Sequence, residues 1–301
     1  MDNHQRDKLD QLRRQLAQQA KRSAARERRS AQHAGEGQSW EYAVEPDSPA
    51  DEPAAAGALP LGSLKTRTGV CWSAGATLAE LSGPMARTGR ELLAVLGGAR
   101  QRWDELAAPA QLCKLADAHP QEALLLDAQV LEGPDGSWIS LAGMLGPRDA
   151  QVRVDQFLAE GPAQERAVLE AIAGKLEQAS VVVTFDGTRT FWPVLEQRLA
   201  RHGLELWAQP VHLDLLKPAR RLWKSSLPNS RRPTIERLIF SRSRKADQAE
   251  ATAIYQRFAG DGNLADFAPL LERNLSDLVS LSRALVALLT GCTDLHGPAD
   301  L

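Results

Sequence analysis

Three apolar runs separated by tight turns, between residues 120 and 160, narrow the possible folds of this chain more than any other feature. Leu124-Leu125-Leu126-Asp127 is a short apolar run that ends in an acid, and Gly133-Pro134-Asp135-Gly136 follows as a strong turn signal. The strand-like stretch Trp138–Leu145 leads into a second turn, Gly146-Pro147-Arg148-Asp149, after which Val152, Val154 and Phe157 alternate along a third strand. Pro162 then opens a helix with Val168, Leu169, Ile172 and Leu176 on one face. Val181-Val182-Val183-Thr184-Phe185 is the most strand-like run of all and stops at Asp186-Gly187. A helix carrying Leu195, Leu199 and His202, a strand at Val211–Leu215 and further helices complete the order. Tight turns force the first three strands antiparallel, and helical crossovers set the later two parallel to the first. The expectation is a mixed five-stranded sheet flanked by helices.

The flanking segments differ in character. Residues 1–34 hold nine Lys/Arg against four acids, with Leu9, Leu12 and Leu16 as a thin helical stripe. This is a basic N-terminal arm, either a nucleic-acid contact or a solvated helix or tail. Residues 35–60 mix acids with Pro46, Pro49, Pro53 and Pro60 and read as a linker, since few apolar groups offset the cost of ordering. Residues 61–119 are expected to be a helical lead-in to a main domain at 120–290, and 291–301 a tail. Cys71, Cys113 and Cys292 are odd in number and widely spaced, which argues against disulfides or a thiolate metal site. No apolar leader opens the chain, and the apolar stretch Leu278–Leu289 is broken by Arg283, so a cytoplasmic protein with no membrane partner is expected.

Three local motifs then sharpen the reading. His212-Leu213-Asp214-Leu215-Leu216, followed by Arg220-Arg221-Leu222-Trp223, resembles the His-x-Asp-Leu-Leu…Arg-Arg-Leu-Trp signature of the YprB-like ribonuclease H-like domain family. Tyr255-Gln256-Arg257-Phe258 with Gly260-Asp261 is similar to that family's Tyr-x-x-Tyr…Gly-Asp segment, and Asn274–Leu281 is similar to its last helix. The mixed sheet is the ribonuclease H-like architecture, an α/β fold, and the resemblance spans about residues 120–290.

The resemblance implies a DEDD-type 3′–5′ exonuclease plan, in which four carboxylates hold two divalent cations for in-line phosphodiester displacement. Hard cations of this kind need anionic oxygen ligands. Carried over residue by residue, the first strand's Asp is Asp127, but the Glu two positions on is Gln129. After the fourth strand, the expected Asn-Gly-x-x-Phe-Asp reads Asp186-Gly187-Thr188-Arg189-Thr190-Phe191, so that Phe191 stands where an Asp belongs. Asp277 matches the last Asp, and Arg273 falls where a His or Tyr base would stand. Asp127 and Asp277 are thus the candidate catalytic and metal-binding pair, expected to hold at most one Mg or Mn ion, and weakly. Asp186 and Asp214 offer possible rescue, although the family signature casts Asp214 as a cap of the following helix. His212 is expected to be structural.

Ten basic residues between 217 and 245, among them Arg220, Arg221, Lys224, Arg231 and Arg232, face a single acid, Glu236. Such a field attracts phosphate backbones without regard to sequence. Trp223 and Phe240 lie within it, either as base-stacking platforms or as core. The expected function is binding of nucleic acid, single-stranded in particular, on a nuclease fold whose hydrolysis is lost or weak. The alternatives are a working exonuclease with a rearranged carboxylate set and a scaffold for protein partners.

Overall fold

The computed structural model describes Leu59, residues 61–102, Leu112, Leu115 and residues 118–291 apart from 134, 207–208, 230 and 241–243, with backbone alone at 98–102 and 244–248. The basic arm, the linker and the tail lie outside the described residues, save for Leu59 and Gly291.

The sheet is wider than five strands. Its strands are β1 (Gly62–Lys65), β2 (Val70–Thr77), β3 (Ala123–Gly133), β4 (Gly136–Arg148), β5 (Gln151–Leu158), β6 (Val181–Thr184) and β7 (Val211–Asp214). They lie in the order β1-β2-β5-β4-β3-β6-β7, antiparallel from β1 through to β3 and parallel from β3 to β7. The three antiparallel strands and two parallel ones expected between 120 and 215 are all present. The correction concerns the stretch at 61–119, which is not wholly helical. It opens with the β1–β2 hairpin, which pairs with β5, before the short α1 (Leu78–Leu81) and α2 (Gly83–Arg102).

Local chemistry accounts for the joins. Arg148 pairs with Gln151, which leaves Asp149 and Ala150 as a two-residue loop, both at positive φ (50° and 61°). That is the backbone a primed hairpin turn demands, and Asp is among the residues that tolerate it. The strand therefore runs past the expected turn at Gly146-Pro147. Val181, Val182 and Val183 are each at most 1% exposed, because β6 is covered on both faces, as parallel strands are.

The remaining helices are α3 (Glu165–Leu176), α4 (Trp192–Arg201), α5 (Leu216–Leu222), α6 (Arg232–Phe240), α7 (Arg244–Asp261) and α8 (Ala268–Thr290). Alternation along β3 sends Ala123 and Leu125 into one apolar cluster and Leu126 and Ala128 into another. The first cluster joins α2, α5, α6 and most of α8 to the sheet, and the second joins α3, α4 and α7. Trp223 and Phe240 are both buried in the first, so the two aromatics of the basic stretch are core. Tyr255 of α7 is packed edge-on against Trp138 and Phe267, with its hydroxyl 2.8 Å from the Ala159 carbonyl. Among the described residues, no helix is long and apolar enough to cross a membrane.

One buried ion pair fastens the second layer. Glu165, at the start of α3 and fully buried, accepts hydrogen bonds from the Ile139 amide (2.9 Å) and from the Arg198 guanidinium on α4. His202 Nε2 stands 3.2 Å from the same carboxylate. Truncating one member of a buried pair strands the other charge, so Glu165→Ala is expected to cost about 3–5 kcal/mol, measurable by urea unfolding. A loss below about 1 kcal/mol would mean that water solvates Arg198.

Candidate active site

Strand register sets where the candidate carboxylates of the sheet stand. Leu125 pairs with Val183, and Thr184 pairs with Asp214, so Asp214 ends β7, Asp186 lies just beyond the carboxyl end of β6, and Asp127 lies in the middle of β3, two residues past its last pair with β6. Ligands of open α/β sheets commonly sit in the crevice beyond such carboxyl ends. Asp127 shares a face of β3 with Ala123 and Leu125, the face on which α8 packs.

Asn274 sets how α8 meets this face. Its Nδ2 donates to the Asp127 carboxylate (3.2 Å) and to the Asp127 carbonyl (3.3 Å), and its Oδ1 accepts from Gln156 Nε2 (2.9 Å). Gln156 Nε2 also reaches the Leu271 carbonyl at 2.8 Å. Between β3 and β5 lies Gly143 of β4, paired with both Asp127 and Gln156. A Cβ there would stand 1.8 Å from Asn274 Oδ1, so only glycine admits the carboxamide. Asp277 follows Asn274 by three residues, which puts it on the same face of α8, and it is 4% exposed. Asp127 and Asp277 are therefore both buried at the α8–sheet junction.

The other two ligand positions do not resemble a metal centre. Gln129 lies where β3 slips register against β4, a bulge that re-aims side chains, and its Nε2 donates to the adjacent Val130 carbonyl at 3.3 Å. Phe191, 2% exposed, belongs to the apolar cluster with Leu126, Leu195, Leu199 and Leu270. Arg273, at the expected position of the base, is ion-paired with Glu250.

Neither possible rescuer is disposed to help. Asp214 Oδ1 accepts from the amides of Asp186 (2.8 Å) and Leu216 (3.0 Å), and its Oδ2 accepts from the Thr188 amide (3.1 Å) and hydroxyl (2.6 Å). From the position before the N-cap Leu215 it holds the first amide of α5, and it also ties down the Gly187–Arg189 turn. Asp186 sits at φ 54°, is 1% exposed and accepts no hydrogen bond on its carboxylate oxygens. Its counter-charge is Arg232, whose Nε lies 2.7 Å from Oδ2 while aiming its single proton at Glu236 Oε1 (3.0 Å). The contact with Asp186 is thus charge against charge rather than a hydrogen bond. Burial pushes the Asp186 carboxyl above the usual carboxylate range, Arg232 offsets part of this, and Asp214 adds to the rise. His212 is structural: its ring stacks on Trp192 at 4.1 Å, its Nε2 meets Thr184 Oγ1 at 2.8 Å, and burial lowers its pKa.

Among the described residues, no three His, Cys, Asp or Glu side chains come together as a metal site would require. Two divalent ions bring four positive charges, and Asp127 with Asp277 offset two. Gathering the ions without the missing counter-charges costs several kcal/mol. The donor set does not fit a two-metal centre.

The model of the family described as the RNase H superfamily matches residues 128–289, more than half of the chain. This chain belongs to the RNase H superfamily. The uncharacterized protein YprB of Bacillus subtilis (strain 168) is 32% identical to it over 109 residues, 36% of this chain and 26% of YprB. The domain is YprB-like, and the chain spans about a quarter of the length of that relative.

The basic residues divide by exposure. Lys217, Arg221, Lys224, Arg231 and Arg237 are exposed, whereas Arg220 and Arg232 are half-buried, the latter turned onto Asp186 and Glu236. Sequence reasoning missed this inward turn, because nothing in the local pattern separates Arg232 from its exposed neighbour Arg231.

The seat of Phe191 gives a direct check. Placing a carboxylate there removes a buried ring and buries a polar group, so Phe191→Asp should lose about 3–5 kcal/mol or more in chemical denaturation. A loss under about 1 kcal/mol would place position 191 in a solvated cleft, where a ligand could stand.

Proposed function

We propose that this protein binds single-stranded nucleic acid on an RNase H-like domain whose two-metal hydrolytic site is impaired. The observation that carries the reading is the apolar seat of Phe191, where the family plan requires a carboxylate. A two-metal site needs every anionic ligand it can gather, and here β3 and α8 supply one each. The most such a pair would take is one Mg or Mn ion through Asp127 and Asp277, weakly held among waters. The spare carboxylates are spent on Arg232 and on the turn amides.

Binding is favoured by the field of α5 and α6 and the segment joining them. Glu236 is the one acid between 217 and 240, and it is buried against Arg232. The charges that segment shows to solvent are therefore all positive, with Arg221, Lys224 and Arg231 exposed and Arg220 half-buried. Attraction of this kind is sequence-independent and falls with salt as counterions are released. Because Trp223 and Phe240 are core, the affinity rests on charge rather than on base stacking.

Filter binding of labelled single-stranded DNA and RNA against salt, with Mg²⁺ present, tests the reading. If the five exposed cations meet phosphates, affinity should drop about a hundredfold between 50 and 200 mM salt. Reversing Arg221, Lys224 and Arg231 to Glu should abolish most binding, and the strands should stay full length. Salt-independent binding, or no binding at all, would point to a scaffold for proteins. Mg²⁺-dependent shortening that vanishes in Asp127→Asn would establish a working exonuclease instead.

A further inference from the structure

A cleft of about 220 Å³ opens beyond the carboxyl ends of β6 and β7, beside the site described above, and cations from two separate elements line it. Arg189 comes from the Gly187–Arg189 turn, and Lys217 and Arg220 come from successive turns of α5. Three residues apart on a helix, Lys217 and Arg220 share one face. The Nε of Arg220 is buried and donates to no protein acceptor, while the side chain as a whole is half-buried and lines the cleft, so no acid of the fold claims this guanidinium through Nε.

The two carboxylates in the wall do not cancel this charge. Asp214 keeps its charge, though both its oxygens are filled by the four donors of the turn and of α5, and Asp186 is offset by Arg232, so three cations face one uncompensated carboxylate. His212 completes the wall beside them, anchored on Thr184 and Trp192. The volume is too small for a nucleoside with its base seated among apolar groups, but it accommodates a tetrahedral anion with the sugar carbon that bears it. α5 also carries the exposed Arg221, so the cleft adjoins the cationic surface.

We infer that this cleft takes a phosphoryl group, the terminal phosphate of a nucleic-acid strand, with Arg220, Lys217 and Arg189 as its ligands. The choice of a strand as the source rests on the nucleic-acid reading above; the anion chemistry rests on the cleft alone. A terminal phosphate differs from an internal one by its second negative charge and its extra free oxygen. Guanidinium groups recognise both features through charge-assisted hydrogen bonds.

The test compares equilibrium binding of single strands that carry a 5′-phosphate, a 3′-phosphate or hydroxyls at both ends. A phosphate at one end should tighten binding by the wild-type chain about tenfold, the scale of one good charge-assisted contact. In Arg220→Gln and Lys217→Gln the ratio of phosphate-ended to hydroxyl-ended affinity should fall close to one, whatever their overall affinity. Thermal unfolding confirms that each variant is folded, and the exposed Lys217→Gln decides if Arg220→Gln is not. Hydroxyl-ended strands that bind as tightly as phosphate-ended ones would overturn the inference and leave the nucleic-acid reading standing. Failure of every strand to bind would overturn both. If inorganic phosphate or a nucleoside monophosphate binds with the same Arg220 dependence while strand ends make no difference, the ligand is a free phosphate compound, and the strand-end assignment fails.

Discussion

One carboxamide joins the two halves of this domain. Asn274, on the last helix, reaches through a gap that Gly143 leaves in β4 and bonds to Asp127 on one side and to Gln156 on the other. The contact crosses three adjacent strands at one register, so it fixes the position of α8 along the sheet as well as its distance from it. The position of Asp277 follows from that placement, because it lies three residues further along the same helix. Buried polar groups of this kind are stable only when fully paired, and here Asn274 uses both ends of its amide. The same bonds give Asp127 a partner that is not a metal, and they hold the carboxylate where the fold needs it.

Recognition and reaction make different demands on this scaffold. Recognition of a phosphate backbone needs positive charge on the surface and tolerates almost any arrangement of it. Reaction needs several anionic ligands converging on a small volume, and losing one weakens the whole centre. Against the plan that the family resemblance implies, Asp127 and Asp277 match, and the other two positions carry an amide at a bulge and a ring inside an apolar cluster. The Arg232 guanidinium meanwhile supplies a fixed positive charge to Asp186 and Glu236, one that no chelator could remove.

Much of this was legible in the residues. The Gly-Pro-Asp-Gly turn and the tripled valines of β6 gave the antiparallel and then parallel order, since turn chemistry and burial on both faces are local signals. The β1–β2 hairpin was not legible: Val70–Thr77 is rich in Gly, Ser and Ala, and its strand state comes from pairing with β5 more than 75 residues on. That Asp214 meets the first amide of the following helix could be read from the motif. The ion pair of Asp186 with Arg232 could not, because it joins groups 46 residues apart through a fold that only the tertiary contacts define. For the same reason Arg220 and Arg231 look alike in the sequence, yet one lines a cleft and the other faces water.

Whether the junction of β3 and α8 can hold a pair of divalent cations separates recognition from reaction. Crystals grown with Mn²⁺ and examined by anomalous diffraction at the manganese edge would answer that most directly. The account predicts no pair of ions there, and at most one weak, partly occupied peak near Asp127 and Asp277. Two fully occupied manganese ions bridged by those carboxylates would contradict it.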